Sequence, residues 1–483
     1  PSALLSAATG KPKATRSGPA TTDPSVWPAR VIVNVLLGLA TAWPLVWAWQ
    51  RPPLPAFYSQ ALACALWALT LTVAALLGRN RGRHRGFQTS AMGFERSMSA
   101  ANGAMIALWL LLLLVITLHG ASGLAPWFAV APAALNFLLA LSLAAWVLLA
   151  ERDDVLSAWT ALLWALLIAA WVNALVVALQ LIAPNWTDDL WIARPELLST
   201  VNGAAPTPRP GGNLRQPNQL ATLMVWGLIA GAHLLRRWRL VWLLASAPLL
   251  LALTATGSRA GLLSLLAVAV VGVLLAARRP GEVVSAQRAR VWVRLLSTAV
   301  LLAVVAAALW QVAARDTAGE SLAQRVALWR ETIALIGMHP WWGVGWSQLN
   351  FAWTLTPFAT RPADVFDHAH SLPLHLAVEL GLPVLVALLA LMFIALARLP
   401  RTLREAVSRK RDGMTTALLL LLAMLLHSLV EYPLWFSYFF LPTAFAFAVV
   451  VRLSQPSVDA APEHALRGAP WRLVVTTICS VAL

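Results

Sequence analysis

Charge and cysteine are the two things that this 483-residue sequence has least of. Only 12% of its residues are charged and 59% are hydrophobic, whereas soluble domains carry about 25% charged residues. This composition argues against a soluble globular protein and against a disordered one. The two cysteines, Cys64 and Cys479, lie in separate apolar runs and provide neither a disulfide framework nor a metal-binding spacing.

Long apolar runs account for most of the chain and predict an all-α, polytopic integral membrane helix bundle. A bilayer core needs about 20 apolar residues per helix, and the 25 tryptophans stand mostly near the ends of such runs. We expect about twelve full spans and a truncated thirteenth at 473–483. The full spans are 30–49, 57–78, 102–118, 128–150, 156–182, 217–235, 240–256, 260–277, 295–313, 372–397, 413–430 and 437–451.

The basic residues alternate between loops in a way that predicts the orientation. Loops on one side hold 27 Lys and Arg, and loops on the other side hold nine. Under the positive-inside rule the N-terminus is cytoplasmic, and the net charge of +16 needs no nucleic acid to explain it. The nine external arginines are candidates for function, because topology does not require them: Arg51, Arg194, Arg209, Arg215, Arg259, Arg315, Arg325, Arg330 and Arg361.

Four regions follow from this pattern. Residues 1–28 form a disordered cytoplasmic tail, 29–313 hold spans 1–9, 314–371 form a long periplasmic loop, and 372–483 hold spans 10–12 and the partial thirteenth. Loops of this length are usually functional or disordered, and the many Trp and Phe residues of 314–371 argue for a folded cap. Helical spacing over 321–338 predicts one amphipathic helix lying across the membrane face.

Two external arginines lie where a helix begins. A glycine pair precedes Arg215, which is followed by the amides Asn218 and Gln219 at the start of a helix opening with Pro217. An arginine beside a helix N-terminus favours an anion, although a capped loop with an interfacial arginine is the alternative. Arg259, after Ser258 in a tight turn, needs a partner at the membrane; carbonyl groups of the turn are the structural alternative.

The remaining polar patterns hold histidines and carboxylates. His370 falls at the mouth of a span, where it suits a general base; His375 and Glu379 share one helix face. A metal site formed by Asp364, Asp367, His368 and His370 is an alternative, but the spacing matches no ligand motif. Glu431 lies in an aromatic turn, either within an anchoring belt or holding an arginine in place.

All these patterns lie on one side of the predicted membrane. Two arginines and a helix N-terminus suit a diphosphate, a histidine suits deprotonation of a hydroxyl, and the apolar surroundings suit a lipid tail. A site at the outer interface therefore follows from the residues alone.

At these residues the chain resembles the O-antigen ligase and polymerase superfamily of polytopic glycosyltransferases. The segments that carry the resemblance are 258–261, 339–345, 370–372 and 379–381. Two further segments, 216–222 and 427–442, are closer to the pilin-glycosylase type of protein O-oligosaccharyltransferase. The resemblance covers about 200–445.

The resemblance implies inverting transfer of a glycan from undecaprenyl diphosphate to a hydroxyl on a periplasmic acceptor, at the bacterial inner membrane, without metal or cofactor. The family's essential histidine falls on His370 and its diphosphate-binding arginines on Arg215 and Arg259, with Arg325 or Arg330 assisting. The acceptor is a pilin-like protein, the lipid A–core or a growing glycan, which correspond to an oligosaccharyltransferase, a ligase and a polymerase. A transporter for lipid-linked glycan is the alternative from another class.

Overall fold

The computed structural model describes residues 26–49, 56–83, 99–198, 207–277, 317–359, 366–405 and 408–455. In these residues the chain is a bundle of α-helices, as predicted, with one short antiparallel pair of strands that was not predicted. Most of the predicted tail, the span predicted over 295–313 and the partial span at 473–483 lie outside the described residues.

The helices follow the apolar runs closely. In chain order they are α1 (Val26–Val46), α2 (Phe57–Arg83), α3 (Ala100–Ala121), α4 (Trp127–Leu149), α5 (Arg152–Ile182), α6 (Pro217–Leu234), α7 (Arg239–Ala255), α8 (Arg259–Ala277), α9 (Thr317–Met338), α10 (Leu349–Leu355), α11 (Leu372–Leu380), α12 (Leu382–Leu396), α13 (Leu399–Glu405), α14 (Ser408–Ser428) and α15 (Ser437–Ser454). The strands are β1 (Glu196–Leu198) and β2 (Thr207–Arg209), with Glu196 opposite Arg209.

Several of these helices are long and apolar enough to cross a bilayer. Among the described residues there are seven such spans, which lie in α1 to α5, in α12 continuing into α13, and in α15; α7 and α8 are shorter apolar helices. Helices satisfy their own backbone hydrogen bonds, which hydrocarbon requires of any spanning segment. The protein is therefore a multi-pass membrane protein.

The bundle has a buried centre and a lipid-facing margin. The most apolar part of α15 is 83% buried, whereas that of the span in α12 and α13 is 11% buried. The central helix α5 packs against α1, α6 and α7. Its 31 residues extend for about 46 Å at 1.5 Å per residue, so α5 joins the two ends of the bundle.

Two buried side-chain amides connect α5 to the loop that precedes α6. Asn173 accepts a hydrogen bond from the Asn213 N–H at 2.8 Å and donates to the Leu45 carbonyl at 3.0 Å. Gln180 binds both backbone groups of Gly212. Gly212 has φ +59°, and a Cβ there would lie 2.5 Å from Asn173 Oδ1, so only glycine fits. These bonds set the position at which α6 begins.

The span predicted over 372–397 is divided in the structure, which corrects that prediction. α11 ends at Gly381, whose φ is +86° and whose added Cβ would lie 2.2 Å from the Trp341 carbonyl oxygen. The Leu382 N–H donates to the Pro340 carbonyl at 2.8 Å, and α12 begins there. Hydropathy runs through this break because both helices are apolar, so the sequence pattern does not reveal it.

Three of these helices share a second, smaller apolar cluster. The helix predicted over 321–338 is present as α9, and it packs against α10 and α11. The cluster consists of Leu335, Ile336, Leu349, Trp353, Ala369, Ala377 and Val378. It forms the platform that carries the segment around His370.

Candidate active site

The carboxylate of Glu431 joins side chains from three distant parts of the chain. Glu431 is buried in the turn between α14 and α15. Its Oε1 accepts hydrogen bonds from Asn218 Nδ2 at 2.8 Å and from Arg325 Nη2. Its Oε2 lies 3.0 Å from His370 Nδ1. Below, the Glu431 cluster means Glu431, Asn218, Arg325 and His370.

The charge of Glu431 determines which ring nitrogen of the neutral His370 carries the proton. Burial by itself would raise the pKa of Glu431, but the hydrogen bond with His370 and the positive charge of Arg325 outweigh burial and hold the pKa below its ordinary value. An ionised carboxylate only accepts hydrogen bonds. His370 Nδ1 therefore donates to Glu431, and in the neutral imidazole Nε2 is left as the proton acceptor.

The backbone around His370 is held in an uncommon conformation. His370 has φ +48°, in the left-handed region that non-glycine residues seldom adopt. The neighbouring peptide is fixed on both sides: the Ala369 N–H donates to His375 Nδ1 at 3.2 Å, and Trp329 Nε1 donates to the Ala369 carbonyl at 2.9 Å. Backbone strain of this kind is concentrated at functional sites, where surrounding contacts maintain it.

His375 and Glu379, predicted as supporting residues, hold the platform together. His375 Nε2 lies 3.3 Å from Glu379 Oε2 inside α11. The Glu379 carboxylate also accepts the N–H groups of Ser347 at 2.8 Å and Leu349 at 3.3 Å. These bonds attach the segment after α9 to α11, so this pair positions the loop that carries His370.

Arg209, one of the nine arginines predicted to be external but not among the predicted site residues, connects the Glu431 cluster to the turn before α8. Its Nε donates to the Thr256 carbonyl at 2.9 Å, and Nη2 lies 3.5 Å from Asn218 Oδ1. Ser258 in that turn accepts the Gly261 N–H at 3.2 Å, which caps α8 at Arg259. The only sequence signal for Arg209 was its position in a loop predicted to be external, where topology does not require an arginine.

The other predicted site residues lie outside the Glu431 cluster. Arg215 forms an ion pair with Asp189 Oδ1 at 2.8 Å and donates to the Ala48 carbonyl at 3.0 Å. Gln219 accepts the Tyr438 hydroxyl proton at 3.0 Å, and Arg330 is exposed on α9. The structure thus brings Asn218, Arg325, His370 and Glu431 into contact, and places Arg215 in contact with Asp189 instead.

Aromatic rings enclose His370 on one side. His368 stacks on Tyr432 with ring centroids 4.3 Å apart, and His370 meets Tyr432 edge-on at 4.9 Å. Burial, assisted by the neighbouring His375 and His370, lowers the pKa of His368 well below its ordinary value. His368 is therefore neutral at neutral pH and packs as an aromatic ring.

This lowered pKa predicts that acid destabilises the fold through His368. The unfolded chain protonates His368 near pH 6.5 and the folded chain only at lower pH. The contribution to stability is thus full above pH 6.5 and is lost as the pH falls below it. One pH unit lower, the loss reaches about 1.4 kcal/mol at most. We expect His368→Phe, which keeps the stacking, to reduce the fall in melting temperature between neutral and acidic pH.

Thermal unfolding followed by tryptophan fluorescence measures this difference. The control is His339→Phe, because His339 is exposed and its loss should leave the pH dependence as in the unmodified chain. Parallel pH dependences for His368→Phe and the unmodified protein would contradict the expectation.

Family models match three segments of the chain. Residues 244–389 match "O-Antigen ligase", 210–235 match "Protein glycosylation ligase", and 415–483 match "Virulence factor membrane-bound polymerase, C-terminal". Over residues 244–389 the chain is thus similar to the O-antigen ligase family. The predicted resemblance to this superfamily of glycosyltransferases is confirmed.

One curated relative is similar over a shorter stretch. The general O-oligosaccharyltransferase of Acinetobacter baylyi is 30% identical over 142 residues, which make up 29% of this chain and 23% of that relative. The match thus spans about a quarter of the relative's length.

The matched segments are the ones that meet at the Glu431 cluster. Arg325 and His370 lie in the O-antigen ligase match, Asn218 in the protein glycosylation ligase match, and Glu431 in the polymerase match. Within the described ranges, no three His, Cys, Asp or Glu residues are grouped so that they could hold a metal ion.

Proposed function

We propose that the protein is an inverting membrane glycosyltransferase that moves a glycan en bloc from undecaprenyl diphosphate to a serine or threonine hydroxyl of a periplasmic protein. The observation that supports this most directly is the Glu431 carboxylate, which accepts from His370 Nδ1 while it pairs with Arg325 and Asn218. This arrangement leaves His370 Nε2 as a base beside a cationic and amide-lined surface.

His370 supplies the base for the transfer. Its Nε2 takes the proton of the acceptor hydroxyl while the acceptor oxygen forms a bond to the anomeric carbon of the glycan. The bond between that carbon and the diphosphate oxygen breaks on the opposite face, and undecaprenyl diphosphate leaves with the electron pair. Because Glu431 accepts from Nδ1, the neutral ring carries its proton there and presents Nε2 as the acceptor, and the carboxylate then stabilises the imidazolium that forms.

The arginines stabilise the leaving group. Arg325 lies in the Glu431 cluster, and Arg209 and Arg259 flank the turn at the start of α8. Prearranged cations next to a developing negative charge lower the barrier for its departure. Arg215 was predicted for the same role, but its ion pair with Asp189 favours a structural contribution to the loop before α6. Arg330, exposed on α9, is the other residue that was predicted to assist in binding the diphosphate.

The bacterial inner membrane and a periplasmic site are parts of the same proposal. The basic residues predict a cytoplasmic N-terminus, and the Glu431 cluster lies toward the opposite end of α5 from that terminus. The protein glycosylation ligase match and the relative from Acinetobacter baylyi favour a protein acceptor. The longer O-antigen ligase match favours lipid A–core as the second candidate.

A transfer assay with purified protein tests the proposal. One defined undecaprenyl-diphosphate glycan is offered with a pilin-like protein, with lipid A–core, and with a second donor molecule as acceptor. We expect the glycan on the protein, in detergent and without added metal ions. Transfer to lipid A–core alone would establish the ligase, and flipping of the donor in vesicles without any transfer would contradict an enzyme.

A substitution of Arg209 tests whether the contact between the Glu431 cluster and the turn before α8 serves the reaction. We expect Arg209→Gln to lower the transfer rate by about tenfold or more, because hydrogen bonds from a charged donor contribute about 1.5–3 kcal/mol each. The control is Arg194→Gln, which removes an exposed arginine from the same loop. Equal rates in both variants, with unchanged melting temperatures, would show that Arg209 does not serve the reaction.

A further inference from the structure

An open groove lies at the other end of the bundle, between the beginnings of α1 and α5. It has a volume of about 530 Å³ and is lined by Arg30, Asn34, Asp153, Leu156, Ser157, Thr160, Ala161 and Trp164. Asp153 is 27 residues from Gln180 on α5, which corresponds to about 40 Å of helix. Because Gln180 binds the loop before α6, the groove is far from the Glu431 cluster.

The mouth of the groove presents one charge of each sign. Arg30 Nε donates to Asp154 Oδ1 at 2.6 Å, which holds the guanidinium in one orientation. The directions in which its two Nη groups can donate are thereby fixed. Asp153, on the next residue of α5, is an exposed carboxylate that lines the groove. The paired Asp154 offsets Arg30, so the mouth as a whole does not favour a purely anionic ligand.

Below this mouth the lining becomes uncharged and ends at an aromatic ring. Asn34 Nδ2 donates to Ser157 Oγ at 2.7 Å, which directs the Asn34 carbonyl oxygen and the Ser157 hydroxyl proton toward other partners. Further along α5 the wall consists of Thr160, Ala161 and Trp164, and 42% of Trp164 is exposed. From Asp153 to Trp164 the groove follows the helix for about 16 Å, which is long enough for a lipid headgroup and the first part of an acyl chain.

We propose that this groove binds a phospholipid whose zwitterionic headgroup carries a primary ammonium, with its phosphate on Arg30 and its ammonium on Asp153. The ammonium supplies the hydrogen-bond donors that an exposed carboxylate lacks, and the phosphate supplies acceptors for the guanidinium. The glycerol region contacts the Asn34–Ser157 pair, and one acyl chain packs along Trp164. This site does not depend on the proposed glycan transfer.

Competition between lipids tests the proposal. The full chain is purified in detergent, mixed with equal amounts of phosphatidylethanolamine, phosphatidylcholine and phosphatidylglycerol, and the bound lipids are counted by native mass spectrometry. We expect about two- to fivefold more phosphatidylethanolamine than either other lipid to be bound, which corresponds to the free energy of one partly exposed ion pair. Phosphatidylcholine retains the positive charge but has no N–H donor, and phosphatidylglycerol lacks the ammonium.

Asp153→Asn is the informative variant, and Glu151→Gln is its matched control. Both remove one carboxylate at the start of α5, but Glu151 does not line the groove. We expect Asp153→Asn to abolish the preference and Glu151→Gln to retain it. Equal binding of the three lipids, or an unchanged preference in Asp153→Asn, would overturn the proposal. His370→Ala should retain the preference, so failure here and failure of the proposed enzyme are distinguishable.

Discussion

His370→Ala should reduce glycan transfer by about 10²- to 10⁴-fold, the usual contribution of a general base, while the protein stays folded. The reason is that Nε2 of His370 is the acceptor left open when Nδ1 donates to Glu431. Without the imidazole, the acceptor hydroxyl attacks with its proton still attached. Initial rates with saturating lipid-linked donor and a fixed protein acceptor measure the effect on kcat.

His339→Ala is the matched control, because His339 is an exposed histidine in the same segment between α9 and α11. It should transfer glycan at the rate of the unmodified protein. If His370→Ala kept more than a tenth of that rate while its melting temperature was unchanged, another residue would have to be the base.

Glu431→Gln should lower kcat by about a hundredfold, as the loss of one preorganised electrostatic contact does in other enzymes. The amide has nearly the same shape, but it removes the charge that pairs with Arg325 and stabilises protonated His370. A purely structural role for Glu431 would instead lower the melting temperature and leave the kcat of the folded protein unchanged.

Asp367→Asn is the control for this charge change. Asp367 is exposed near the site and accepts a hydrogen bond from Asn350 at 2.8 Å, outside the Glu431 cluster. We expect normal kcat in this variant. A rate for Glu431→Gln close to that of Asp367→Asn would remove Glu431 from the mechanism.

Sequence patterns predicted the positions of α1 to α8 because the signal for an apolar helix is local. A run of about 20 apolar residues satisfies the bilayer by itself, and for this reason α1 to α8 coincide with the predicted runs. The break at Gly381 was missed because it depends on the Trp341 carbonyl and the Pro340–Leu382 hydrogen bond, which come from a distant loop. The β1–β2 pair was missed because each strand has only three residues.

The amino-acid sequence alone determined that this is a polytopic helical membrane protein, and it predicted an external face with more arginines than topology needs, since hydropathy and charge act over a single helix or loop. It also indicated which segments carry His370, Arg325 and Glu431. Only the tertiary structure decided that these three side chains meet with Asn218, that Arg209 joins them and that Arg215 pairs with Asp189. Such pairings join residues up to 213 positions apart, and no local pattern encodes them, because they arise from how the helices pack.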